Sequence, residues 1–168
     1  FHLLIADVDY QNNINIIYKN TIAVKLGEGG VNKGYITEQA FARGISALEE
    51  FRLQLDNYQV LDVLATATAA VRDAANGQEF IKQAFIKAKI KISMIDGLQE
   101  AEYIYTGAKG AGVLSNSTDL IMDIGGGSVE FMICNQDQIF WKNSYQLGAA
   151  RLLADFYQHH ERLTKTVI

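Results

Sequence analysis

Asp123-Ile124-Gly125-Gly126-Gly127-Ser128-Val129-Glu130 sets three consecutive glycines between two apolar runs. Asp119 to Ile124 reads as a strand before the glycines, and Val129 to Cys134 as a strand after them. With no Cβ in the way, successive backbone amides of such a turn can approach phosphate oxygens. Ser128 adds a hydroxyl donor. Asp123, at the end of its strand, can hold a hydrated divalent cation, because Mg2+ is usually bound by one or two carboxylates plus phosphate and water. Glu130 could supply the second carboxylate. A tight hairpin that merely needs glycine is the simpler reading of a lone Gly-Gly, but the full Asp-Ile-Gly-Gly-Gly-Ser stretch favours phosphate binding. Rival phosphate motifs fail. The chain has no Gly-x4-Gly-Lys-Ser/Thr, and a Gly-x-Gly-x-x-Gly reading from Gly125 meets Glu130 where the last glycine should stand.

Outward from this turn, Ile139 to Ser144 reads as a third strand and Gly148 to Tyr157 as a helix. Upstream, Leu3 to Val8 is a strand, followed by the turn residues Gln11-Asn12-Asn13 and two short β runs, Ile14 to Tyr18 and Ile22 to Leu26. Gly27 to Gly34 is a glycine-rich loop. Thr37 suits a helix N-cap, and Phe41, Ile45, Leu48, Phe51 and Leu55 recur at helical spacing. Val60 to Ala65 reads as a strand, Phe80 to Ala88 as a helix face, and Ile90 to Ile95 as another strand. Asp96 is the expected N-cap of a helix over Gln99 to Thr106. The order of β meander, then helix and strand, restarts near residue 118. It predicts a first lobe over 1–117 and the start of a second over 118–168.

The 168 residues are 49% hydrophobic and 20% charged, a globular balance. No apolar run approaches the ~18–20 residues of a membrane span, and no basic leader opens the chain. The single cysteine, Cys134, excludes an internal disulfide framework, so a cytoplasmic location is the simplest expectation. A net charge of −4 argues against nucleic-acid binding, which wants a basic face. A phosphate ligand needs only a local positive groove, amides and a metal. The chain starts at Phe1 inside an apolar run and holds no proline, where ~5% usage predicts about eight. The expectation is a segment of a longer protein.

Four stretches together carry a resemblance. Asp123 to Glu130 matches the Asp-Ile-Gly-Gly-Gly-Ser-x-Glu signature of the exopolyphosphatase/guanosine pentaphosphate phosphohydrolase family. Ala67-Thr68-Ala69-Ala70-Val71-Arg72-Asp73-Ala74-Ala75-Asn76-Gly77 resembles that family's Ala-Thr-x-Ala-Leu-Arg-x-Ala-x-Asn-Gly stretch. Asp96-Gly97-Leu98-Gln99-Glu100-Ala101-Glu102 is similar to its Ser-Gly-x-Glu-Glu-Ala, with Asp96 for the usual Ser and Gln99 for the first Glu. Leu26-Gly27-Glu28-Gly29 resembles the loop after its third strand. The family's opening Asp-x-Gly-Ser/Thr-Asn-Ser/Thr loop would precede Phe1.

The resemblance implies an α/β fold of the acetate kinase/actin/Hsp70 superfamily. It would have ribonuclease H-like lobes of mixed sheet, the second lobe incomplete, and a phosphate cleft between them. It implies metal-dependent hydrolysis of terminal phosphate from polyphosphate or guanosine pentaphosphate, with Glu100 as catalytic base. Thr68, Arg72, Gly125, Gly126, Gly127 and Ser128 would hold phosphate. Asp123 and Glu130 would hold Mg2+ or Mn2+, and the protein would be a homodimer that binds no nucleic acid and no membrane. Taken alone, Glu100 reads as a first-turn residue that stabilises the helix dipole, with Glu102 its competitor for the base, and Arg72 reads as a solvated surface arginine. Lys25 and Lys33 divide evenly between a polyanion track and ordinary surface charge. His2, His159 and His160 have no metal-ligand spacing, and Cys134 reads as a core residue. The competing functions are an ATP-dependent kinase or ATPase of the same superfamily and a non-catalytic sensor of alarmone nucleotide or polyphosphate.

Overall fold

The computed structural model describes residues 1–11 and 13–156. Strands β1 (His2–Val8) and β2 (Ile14–Thr21) form an antiparallel hairpin. A loop with one 3-10 turn (Val31–Lys33) leads to helix α1 (Glu38–Asn57). Then come β3 (Ala65–Ala67), the short α2 (Ala69–Arg72), α3 (Gly77–Ala88) and β4 (Ile92–Met94). β3 and β4 pair in parallel. Helix α4 (Gly97–Gly110) leads to the antiparallel sheet β5 (Asp119–Ile124), β6 (Val129–Cys134) and β7 (Ile139–Tyr145), and α5 (Ala149–Phe156) follows. The α/β architecture expected from the sequence is present. Tyr157, His159 and His160 lie outside the described residues. Among the described residues no helix is long and apolar enough to cross a membrane.

Both sequence-predicted caps form. Thr37 Oγ1 accepts from the Ala40 amide at 3.3 Å and starts α1. Asp96 Oδ1 accepts from the Gln99 amide at 2.8 Å and starts α4. The buried stripe of α1 is Ala40, Gly44, Ala47, Leu48, Phe51 and Leu55. Leu48, Phe51 and Leu55 of the expected face are buried, and Phe41 and Ile45 pack at its margin, with Phe41 edge-on to the Phe80 ring of α3. A Cβ on Gly44 would stand 2.7 Å from that ring. Phe80, Ala84 and Ala88 complete the core with Ile5, Val24, Leu26, Ile36 and Ile90.

Two expected strands differ. The run Ile14–Tyr18 extends into the eight-residue β2, since ladder bonds run through the backbone and tolerate Lys19 and Asn20, while Ile22–Leu26 lies beyond it and is not a strand. Beyond β2, Arg43 Nε donates to the Val24 carbonyl at 3.0 Å, doing there what a strand partner would do. The apolar run from Val60 is irregular and its Leu61 and Leu64 are exposed, because β4 offers β3 only the registers Ala65↔Ile92 to Ala67↔Met94. Asn76 acts as a clamp: its side chain accepts from Ile36 N and donates to Ile36 O, each at 2.8 Å.

Helix α4 lies against β7 and β6. Its first residue, Gly97, touches Ser144 so closely that a Cβ would collide with the serine side chain. Gly97→Ala should therefore destabilise the fold by about 1–3 kcal/mol, as overpacking does. The same substitution in a Ser144→Gly background should cost less, because the colliding atoms are gone. Urea unfolding of the four variants measures both costs; equal costs would mean that this approach is not the constraint.

Candidate active site

The hairpin turn is built on α5. The carbonyls of Gly125 and Gly126 accept from the amides of Ala149 and Ala150, both at 2.9 Å. The Gly127 carbonyl accepts from Arg151 Nε at 2.8 Å. In a planar trans peptide the N–H points away from the C=O. The amides of Gly126, Gly127 and Ser128 therefore point away from α5, and they donate to no acceptor among the described residues. A Cβ on Gly148 would overlap the Gly126 and Gly127 backbone, so glycine is required for this seating. On its other side the turn abuts α2, where a Cβ on Gly127 would stand 2.7 Å from that of Ala69. This contact puts the amides beside the segment that carries Thr68 and Arg72.

Asp123 and Glu130 are direct cross-strand partners, so their side chains share one face of the sheet. Ser144 is the next partner along that row, and its hydroxyl donates to Glu130 Oε1 at 2.7 Å. Glu130 is only 1% exposed, and its Oε2 has no hydrogen-bond partner. Glu100 approaches from the first turn of α4, where the Asp96 cap and the Gly97 contact place it. Its Oε2 is buried, makes no hydrogen bond, and lies 3.7 Å from Arg72 Nη1. Arg72 Nη1 donates to the Ile95 carbonyl at 3.0 Å and Nε to Asp73 Oδ1 at 3.2 Å. Its Nη2 has no acceptor among the described residues.

Burial and the neighbouring Glu130 charge push the Glu100 carboxyl up from its ordinary 4.5 to about 6. Arg72 and the nearby Thr68 hydroxyl pull partway back, and Asp123 adds to the rise. The structure thus brings Thr68, Arg72, Glu100, Asp123 and Glu130 into one electrostatic cluster. Glu102, the rival carboxylate, is turned away in an ion pair with Lys142. Lys25 and Lys33 are exposed. His2 faces Thr21 at 3.0 Å. Cys134 is fully buried, and burial pushes its thiol up, as suits an inert core residue.

No group of three or more His, Cys, Asp or Glu among the described residues forms a metal cage. The donor set nevertheless fits a cation that completes its shell with phosphate and water, because Asp123 and Glu130 share a face and Glu130 Oε2 is a buried oxygen without a partner. Sequence reasoning missed Gly97, Ser144, Gly148, Asp73 and Arg151. Only glycines directly at the starts of α4 and α5 hinted at two of them.

Residues 4–167 match the model of the Ppx/GppA phosphatase family. An exopolyphosphatase structure from Cytophaga hutchinsonii superposes with a TM-score of 0.90 at 42% identity, over 94% of this chain and 50% of that one. A Ppx/GppA family member from Aquifex aeolicus gives 0.75 at 25% identity, over 94% and 51%. A bifunctional 3-dehydroquinate synthase/phosphatase of Fusobacterium nucleatum is 36% identical over 170 residues, 95% of this chain and 25% of that protein. The chain therefore spans about half the length of the two solved structures and a quarter of the Fusobacterium protein.

Carbon-13 NMR titration of the Glu100 carboxyl should show a midpoint near pH 6. Arg72→Met should raise it, by removing a favourable charge, and Glu130→Gln should lower it, by removing a repulsive one. Because the folded value lies above the ordinary one, the stability tied to this group is full below pH 4.5 and lost as pH rises through about 6. An ordinary glutamate midpoint, or shifts of opposite sign, would contradict this electrostatic picture.

Proposed function

The chain belongs to the Ppx/GppA phosphatase family, and from that premise we propose that the protein is a phosphoanhydride hydrolase. Its reaction would release terminal phosphate from linear polyphosphate or guanosine pentaphosphate. The observation that carries this reading is that a turn with unengaged amides packs on the start of α2, whose Arg72 lies 3.7 Å from the Glu100 carboxylate. Phosphoryl transfer asks a protein mainly for positioning and charge stabilisation. The amides of Gly126, Gly127 and Ser128 and the Arg72 Nη2 would bind the terminal phosphate oxygens. Glu100 would accept a proton from the attacking water. The water oxygen forms the new bond to phosphorus, the bridging P–O bond breaks, and the shortened chain leaves on its own oxygen. A carboxylate shifted to about 6 is still mostly ionised at neutral pH and is a better base than an ordinary glutamate. Asp123 and Glu130 would hold Mg2+ or Mn2+, and the bound cation supplies charge neutralisation for the phosphate oxygens.

Glu100→Gln should lower kcat about 10²- to 10⁴-fold, the usual worth of a general base, with substrate binding retained. Glu102→Gln should remain near wild type, since its carboxylate is engaged by Lys142. Phosphate-release assays on both substrates decide it, and the reverse pattern would identify Glu102 as the base.

Chelation should abolish phosphate release, and Mg2+ or Mn2+ should restore it. Asp123→Asn should weaken Mn2+ binding followed by electron paramagnetic resonance, a readout independent of turnover. Undiminished release after exhaustive chelation would rule out the cation's role.

A further inference from the structure

Arg151 lies on α5, away from the carboxylate cluster, yet its side chain is only 13% exposed and its three nitrogens reach three separate segments. Nε donates to the Gly127 carbonyl at 2.8 Å. Nη1 donates to the Val31 carbonyl of the glycine-rich loop at 3.2 Å. Nη2 pairs with Asp73 Oδ2 at 2.5 Å. The other oxygen of Asp73 accepts from Arg72 Nε at 3.2 Å. One carboxylate is thus divided between two guanidinium groups, one that holds the turn and one that stands beside Glu100. The backbone of Arg151 is itself pinned by Asn32 Nδ2, which donates to its carbonyl at 3.0 Å.

We propose that Arg151 is a positioning residue that holds the turn amides and, through Asp73, the Arg72 guanidinium in one frame. The inference rests on the hydrolase reading above for its effect on turnover, but not for its geometry. Without Arg151, only the long 3.4 Å contact from Gln146 Nε2 competes for Asp73 Oδ2, so both oxygens can turn to Arg72, and a two-pronged carboxylate–guanidinium pair is the preferred geometry. That pairing turns Arg72 Nη2, the nitrogen beside Nε, onto the carboxylate and takes it from the phosphate oxygens it would bind. The Gly127 carbonyl keeps only the Gly148 amide, at 3.4 Å, so the peptide that aims the Ser128 amide loosens as well. Lysine cannot replace this arginine fully, because a single ammonium on a flexible stem does not span three acceptors held in a fixed fork.

The test compares Arg151→Lys, Arg151→Met, Arg72→Lys and the double variant Arg72→Lys/Arg151→Met with wild type. Phosphate release gives kcat and KM, and thermal unfolding reports the folded state. The Arg72 Nε–H resonance, identified by its loss in Arg72→Lys, reports the guanidinium directly. Arg151→Met should lower kcat by about 10- to 100-fold, the scale of an ångström-size misplacement, with a smaller change in KM. Arg151→Lys should recover part of the loss. The double variant should lose less than the product of the single losses, since both act on the same group. The Arg72 resonance should move in both Arg151 variants. Multiplicative losses with an unmoved Arg72 resonance would overturn the proposal and leave Arg151 as a simple structural pin. If Arg151→Met does not fold, Arg151→Lys carries the same comparison. If wild type releases no phosphate from either substrate, the hydrolase reading falls, and the Arg72 resonance alone decides the positioning role.

Discussion

The seating of the glycine turn on the start of α5 is the contact on which the site depends. A helix begins with amides that have no partner inside it, and a tight turn has carbonyls with no strand to accept from. Here each satisfies the other, with Ala149 and Ala150 donating to Gly125 and Gly126. With Arg151 holding the Gly127 carbonyl, the three peptides from Gly125 to Ser128 all turn their carbonyls to α5. The negative ends of those peptides meet the positive end of the helix, and their N–H ends face the opposite side. The turn in effect carries the positive end of α5 across to the cluster. Gly148 makes this possible by having no side chain, and Gly127 lets the far side of the turn press against Ala69.

Charge balance sets the electrostatics of the cluster. Two carboxylates, Glu130 and Asp123, act on Glu100, while the only guanidinium beside Glu100 among the described residues is shared with Asp73. Burial alone favours a protonated glutamate, and the shared arginine offsets this only in part. The outcome is a carboxyl poised between the ordinary range and neutrality, which is where a base working near pH 7 is most effective. Glu130 is held differently, with one oxygen accepting from the Ser144 hydroxyl and the other buried without a hydrogen-bond partner.

Local chemistry was legible in the sequence; approach between distant segments was not. Both strands of the glycine hairpin, Asp119–Ile124 and Val129–Cys134, begin and end where alternation and glycine place them. The caps Thr37 and Asp96 likewise follow from a side-chain oxygen set before a helical pattern. Asp123 and Glu130 are legible from the local glycine motif, whereas Glu100 and Arg72 stand out only through the family resemblance. Ser144, Gly97, Gly148, Asp73 and Arg151 act through contacts made across the fold, and apart from the two glycines at helix starts, spacing carries no sign of what they do. The run Ile22–Leu26 shows the converse: it is apolar enough to suggest a strand, but among the described residues only Ile22 meets a paired backbone, that of Phe1, and an arginine takes the Val24 carbonyl.

The two departures from the family pattern near Glu100 are chemically mild in this setting. A helix N-cap needs a side-chain oxygen that accepts from the amide three residues on, and aspartate provides it as well as serine. Asp96 does so at 2.8 Å. Gln99 contributes its backbone amide to that cap while its side chain remains exposed. Replacing a first-turn glutamate there forfeits only a dipole interaction of about 0.3–1 kcal/mol. What orients Glu100 is the cap, the close approach at Gly97 and the buried Ala101 that follows it. All three are intact. A change at either departed position alters the rim of the helix start and leaves the carboxylate where the turn, Arg72 and Glu130 can act on it.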